Sequence, residues 1–126
     1  MTQLLVERPA SAGRTYDVHV AVERTGPHLL ARLAGRLDQR TATGVVRQVR
    51  SWADDGARAV VIDLAGVTAL DGHGLAALLR CRRVVRARAG VLAVRHAPRD
   101  AEPTLRRSGL LMPEAVDGGS ELFDIP

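Results

Sequence analysis

The run Ala59-Val-Val-Ile-Asp-Leu64 is rich in β-branched residues and carries a single acid. It is too short for a buried helix and too apolar for a strand with one wet face, so it predicts a central strand covered on both faces. Strands of that kind sit beside parallel neighbours, and parallel neighbours are joined by crossovers, usually helical ones. The flanking sequence supplies them. Upstream, Val45, Val46, Val49, Trp52 and Ala53 fall within about 120° of one another at roughly 100° per residue, an amphipathic stripe that puts Trp52 in the core. This first helix is expected to begin near Thr41, whose hydroxyl can cap its first turn, and to stop at Asp54-Asp-Gly56. Downstream, Ala65 to Gly74 reads as a loop opening a second helix from about Gly74 to Arg88, with Leu75, Leu78, Leu79 and Val85 on one face. Arg82 and Arg86 intrude on that face, which requires their stems to lie over the core edge with their heads in water.

The remaining elements fit the same plan. Tyr16 to Val22 alternates, with Val18, Val20 and Val22 on one side and Asp17 and His19 on the other. Arg24-Thr-Gly-Pro27 is turn chemistry, and Leu29 to Ala34 returns as the second strand of an antiparallel hairpin. Gly90 stops the second helix, and Val91 to Arg95 is another buried strand. Pro98 to Ser108 forms a short third helix, with Pro103 in its first turn and Gly109 as C-terminal cap. Leu110, Leu111 and Met112 dock apolar surface. The expected order is β-β-α-β-α-β-α, an α/β fold with a mixed sheet packed by helices. Residues 1–13 read as a lead-in, within which Leu4 to Val6 suit a short strand; 14–116 form the domain and 117–126 an acidic tail. The Asp71 to Gly74 turn lies at the carboxyl end of a parallel strand, where sites form in such sheets.

With 126 residues the chain suits one domain, and 46% apolar against 25% charged residues predicts that it folds. No apolar run approaches the roughly 20 residues of a membrane span, and Met1 to Gly13 does not have a signal peptide's pattern, so the expected compartment is the cytoplasm. The lone Cys81 has no disulfide partner, and His19, His28, His73 and His96 are scattered singly, so neither a structural metal nor a cofactor is expected. All eighteen basic residues are arginine. Residues 80–112 carry nine of them against two acids, while 113–126 carry four acids and no arginine. Such a basic block is either a solvated helix face or a surface for an acidic protein. With 2% aromatic residues and no recognition motif, the sequence argues against nucleic acid.

A catalytic set is not evident. Cys81 has no histidine at i+3 or i+4, and His73, between two glycines, reads as an exposed loop residue rather than a base or phosphohistidine. Gly72 and Gly74 before a helix can cradle a phosphate, yet no Lys-Ser/Thr follows to complete a P-loop. Asp38, Asp63 and Asp71 can meet at one end of the sheet, where two of them are expected to cap or orient loops. A small nucleotide- or phosphate-binding enzyme using the glycine loop and an aspartate is the alternative of a different class.

Three segments then resemble one family. Leu33-Ala-Gly-Arg-Leu-Asp-Gln-Arg-Thr-Ala42 is similar to the Gly-x-Leu-Asp and Thr-Ala at the first helix of the STAS domain found in bacterial anti-sigma factor antagonists. Ala59-Val-Val-Ile-Asp-Leu-Ala-Gly-Val-Thr-Ala-Leu-Asp71 resembles its central strand and loop, and Leu105-Arg-Arg-Ser-Gly-Leu110 its third helix. The resemblance spans about Tyr16 to Val116. It implies a non-catalytic binding module that regulates transcription by partner switching with an anti-sigma factor that is also a serine kinase. It also implies partner-binding roles for Asp38, Asp71, Gly72, His73, Gly74 and Arg82, extended by Arg80 and Arg83. The family's loop usually reads Asp-Ser-Ser-Gly, the first serine being the phosphoacceptor; here it reads Asp71-Gly72-His73-Gly74, with no hydroxyl at Gly72. Two readings follow: an antagonist without the usual off-switch, or a divergent scaffold or sensor-complex subunit that never meets such a kinase. Thr41 and Thr68 are the nearby hydroxyls, and both suit ordinary structural roles.

Overall fold

Strands pair in the order they occur along the chain, so the sheet grows from one edge to the other without interleaving. The computed structural model describes residues 3–6 and 18–112. Its elements are β1 (Gln3–Val6), β2 (His19–Thr25), β3 (His28–Leu37), α1 (Ala42–Asp54), β4 (Ala59–Leu70), α2 (Gly72–Arg86), β5 (Val91–Arg95) and α3 (Glu102–Ser108). β1 pairs with β2 and β2 with β3 antiparallel, whereas β3–β4 and β4–β5 are parallel. From β2 onward this is the β-β-α-β-α-β-α order read from the sequence. β1 adds an edge strand inside the stretch assigned as a lead-in. Tyr16, Asp17 and the segment after Met112 lie outside the described residues.

The helices share one face of the sheet. Val20 and Val22 of β2, Leu29, Ala31 and Leu33 of β3, Val60, Ile62 and Leu64 of β4, and Leu92 and Val94 of β5 form one core with residues of all three helices. Every member of the α1 stripe is buried in it, and Trp52 is 6% exposed. β4 is covered on both faces as expected of a central strand, Val60 to Leu64 all being buried, and the helices supply one of the two covers. Its alternate residues face away from them, where Val61 packs with Met112, Leu30, Ala59 and Ala93. Leu110 and Met112 flank a single parallel bridge between Leu111 and Val94, which is how the segment after α3 docks.

Boundaries moved where tertiary pairing overrode local pattern. Ala65 to Leu70, read as loop, continues β4, because Gly66 to Leu70 pair with Ala34 to Leu37 of β3 across two register shifts. α2 therefore starts at Gly72 and ends at Arg86, with Ala89 taking a left-handed backbone (φ 62°) before β5. α3 begins at Glu102 rather than Pro98, its proline in the first turn and Gly109 left-handed at its C-cap (φ 79°) as expected. Thr41 holds the N-cap position of α1, but its side chain makes no cap hydrogen bond. Its hydroxyl donates to the Arg36 carbonyl at 2.8 Å and accepts from the Asp38 N–H at 3.0 Å, tying the β3–α1 turn together instead.

Cys81 lies in α2 among the core residues, fully buried, and that burial pushes its thiol up to about 12. Because the thiolate is the nucleophile, iodoacetamide at pH 8 is expected to leave Cys81 unmodified in the folded chain and to label it fully in denaturant. Labelling at equal rates in both conditions, followed by intact mass, would contradict this environment.

Candidate functional site

The ends of β3 and β4 are pinned to each other, and this brings two sequence-distant loops into contact. Leu37 closes β3 and pairs with Leu70, the last residue of β4. One residue on, the Asp71 N–H donates to the Leu37 carbonyl at 3.3 Å. Asp38 follows Leu37 directly, so Asp38 and Asp71 begin the two loops from neighbouring positions.

Each aspartate is used by its own loop. Asp38 Oδ1 accepts the Arg40 N–H at 2.9 Å and Oδ2 accepts Arg36 Nε at 3.2 Å, while its carbonyl takes the Thr41 and Ala42 N–H groups. It orients the turn into α1, and its side chain is mostly buried. Asp71 is the N-cap of α2, with extended backbone and Oδ1 accepting the Gly74 N–H at 2.9 Å. That hydrogen bond holds the Asp71 carboxyl below the usual value of 3.8 against the opposing effect of desolvation, with lesser help from the His73 imidazole and the His73 and Gln39 N–H groups. His73 Nδ1 stands 3.7 Å from Asp71 Oδ2.

Asp71, Gly72 and His73 are exposed, while Gly74 is buried against Leu37 and Leu70. The site is thus a small projecting corner, anionic at Asp71, at the amino end of α2. A Cβ built on Gly72 meets nothing within 4 Å, so the position faces open space. Thr41 is fully buried with its hydroxyl engaged, and Thr68 is exposed on the outer part of β4.

Two residues grouped with this corner by sequence lie elsewhere. Arg82 is half-buried, and its Nη1 donates to the Ser108 carbonyl at 2.6 Å, satisfying the C-terminal end of α3. Its head is committed to α3 rather than to water; Arg80, Arg83 and Arg86 are the exposed arginines of α2. Asp63 sits on the sheet face opposite the helices, 4% exposed. Its Oδ1 accepts the Ala65 N–H at 2.9 Å and faces His96 Nδ1 at 3.0 Å, and its Oδ2 accepts Arg95 Nε at 3.0 Å. It borders a cleft of about 420 Å³ whose other polar walls are His19, Arg32 and His96. Sequence reasoning grouped Asp63 with Asp38 and Asp71 by strand position. It had no signal for the contacts from Arg95 and His96, which come from the next strand.

Comparison with known proteins bears on the same segments. Residues 20–111 match the family model described as Mlab, STAS domain. No curated protein matches the chain in sequence. Among solved structures, the anti-sigma factor antagonist SpoIIAA in its unphosphorylated form superposes with a TM-score of 0.67 at 18% identity, over 85% of this chain and 98% of that one. The phosphorylated form of SpoIIAA, a Bacillus cell-fate determinant, gives 0.61 at 20% identity, over 72% and 84%. An anti-sigma factor antagonist from Mycobacterium paratuberculosis gives 0.66 at 22% identity, over 84% and 93%. At these identities the likeness is one of fold.

Proposed function

The chain belongs to the STAS domain family, and from that premise we propose that it is an anti-sigma factor antagonist-like module, which regulates transcription by binding an anti-sigma kinase-type partner in the cytoplasm without catalysis of its own. The observation that carries this reading is the projecting Asp71-Gly72-His73 corner at the amino end of α2, braced by the Asp38 loop. Asp38, Asp71, Gly72, His73 and Gly74 build the contact. Asp38 and Gly74 act from beneath by fixing the two loops, and Asp71 to His73 present the surface. Arg80 and Arg83 extend it along α2, while Arg82 supports it through α3.

The off-switch is what differs from the usual family loop. A phosphate adds about −1.5 to −2 charges, and at this corner it would stand beside the Asp71 carboxylate and against any approaching surface. Gly72 has no hydroxyl to carry it, so binding proceeds without that brake. The brake's site is nonetheless open, since a side chain at Gly72 meets no neighbour.

An affinity capture from the native cytoplasm with wild-type and Gly72→Asp baits tests this. Wild type is expected to retain an ATPase-type anti-sigma kinase and Gly72→Asp to lose it by tenfold or more, a like charge in a partly desolvated contact being worth that much. Gly72→Ser should fold as wild type and become a substrate of that kinase in the presence of ATP. If neither bait retains such a kinase, or both retain one other protein equally, the divergent scaffold reading replaces this one. Saturable ATP turnover by the pure chain, lost on Asp71→Ala, would favour the enzyme alternative.

A further inference from the structure

The surface that α1 and α2 turn away from the sheet is cationic, and its charges are not answered among the described residues. Arg47 and Arg50 of α1 and Arg80, Arg83 and Arg86 of α2 are exposed, and none makes a hydrogen bond or ion pair among the described residues. Asp54, the acid at the end of α1, is taken by Arg88 at 2.7 Å. The arginines recur at i+3 along each helix, a spacing that puts like charges side by side and is mildly unfavourable in isolation. The helix dipole accounts for Arg83 and Arg86, which lie in the last turn of α2, but α1 has no basic residue in its last turn and Arg80 stands mid-helix. Three of the five cations therefore have neither a partner among the described residues nor a dipole to explain them.

We propose that this face receives an acidic protein surface, carried by the same partner that meets the Asp71 to His73 corner, and in this it rests on the reading above. α2 links the two, because its first turn is the corner and its exposed side is the arginine row. Guanidinium groups suit carboxylates in particular, presenting a planar fork that holds two oxygens at once. A membrane is disfavoured by what surrounds the row. The large apolar side chain exposed among the described residues is Val91, at 53%, and it lies on β5 rather than on this face. Nucleic acid is disfavoured because Trp52, the aromatic residue among those described, is buried and offers no stacking surface. An arginine row of this kind raises the encounter rate and fixes orientation, so complex formation should weaken as salt rises.

The test uses the full chain in three forms: wild type, Gly72→Asp, and Arg80→Glu with Arg83→Glu. The protein released by the arginine reversal is identified, produced and titrated against all three by calorimetry at low and high salt, together with versions of it in which surface carboxylates are changed to arginine. The expected result is about tenfold or greater weakening by the reversal, a salt dependence reduced in that variant, and recovery of binding when a carboxylate-to-arginine change on the partner meets the glutamates. A partner weakened by Gly72→Asp but indifferent to the reversal overturns this proposal and leaves the loop reading standing. A partner weakened by the reversal and indifferent to Gly72→Asp upholds the cationic face and removes the loop as its switch. If no protein is released, and a DNA duplex, phosphatidylserine-containing vesicles or a peptide of residues 113–126 binds wild type but not the reversal variant, the proposal is overturned.

Discussion

Gly74→Ala should lower stability by about 3 kcal/mol and the Tm by roughly 10 °C, whereas Gly72→Ser, two residues earlier in the same turn, should leave both within about 0.5 kcal/mol of wild type. A Cβ on Gly74 would lie 2.3 Å from the Leu37 carbonyl oxygen and 2.7 Å from Leu70 Cδ1. The first of these is backbone in a strand end, so it cannot swing aside as a flexible side chain does. Relief requires α2 to move off the β3–β4 ends, which also disturbs the Asp71 cap and the hydrogen bond from the Asp71 N–H to Leu37. Alanine would otherwise gain roughly 1 kcal/mol over glycine within a helix, so the clash has to exceed that gain before any loss is seen. Gly72 has neither constraint, with no neighbour within 4 Å and no left-handed backbone. Thermal unfolding followed by the fluorescence of Trp52, the sole tryptophan, reads both variants directly. Equal stabilities for the two would mean that the loops are not pinned through Gly74, and the corner would lose its brace.

That asymmetry between two glycines of one turn shows where sequence reading stops. Both looked alike in Gly-His-Gly, and the difference lies in a carbonyl contributed 37 residues upstream. Features written in the local period were legible: the α1 stripe, β5, the left-handed Gly109 and the order of elements all follow from spacing and turn chemistry. β4 was read six residues short, since Ala-Gly-Val-Thr-Ala-Leu carries a weak strand pattern that becomes a strand by pairing with β3. Thr41 was placed correctly at the start of α1 but given the wrong partner, because the Arg36 carbonyl is offered by the strand end rather than by the helix. For the candidate site, the loop residues were found by their resemblance to a family motif. The commitment of Arg82 to α3 depends on how two helices cross, which no spacing reveals. What covers the second face of β4 is illegible in the sequence for a related reason. Val61 and Asp63 read as covered positions, and what buries them is Met112 over Val61 and the Arg95 and His96 side chains over Asp63.

Asp63 supplies the other large effect, and its sign with pH follows from its partners. Replacing it by alanine strips Arg95, His96 and the Ala65 N–H of their acceptor at once, and should cost about 2 kcal/mol. Arg95 and His96 are partly exposed and can turn to water, which keeps the loss below the 3–5 kcal/mol of a fully buried broken pair. Some of it falls on local geometry, because His96 holds a left-handed backbone (φ 57°) that its contact with Asp63 helps to maintain. Burial by itself would raise the Asp63 pKa, but the hydrogen bonds from the Ala65 N–H, His96 and Arg95 together outweigh it and leave the carboxyl below its ordinary 3.8. A carboxylate with a lowered folded-state pKa contributes stability that is fully present above its unfolded value and is lost as pH falls through the folded one. Wild type should therefore keep the Asp63 contribution at pH 5 and above and lose it below about pH 4. Asp63→Asn preserves an acceptor for the Ala65 N–H but cannot titrate, so its stability should be lower than wild type at pH 7 and converge on it in acid. Denaturant melts of wild type and Asp63→Asn from pH 7 down to pH 3 measure that gap. A gap that stayed constant across the range would show that the effect is packing rather than charge, and would assign the Arg95 and His96 contacts to the surface of the sheet rather than to its stability.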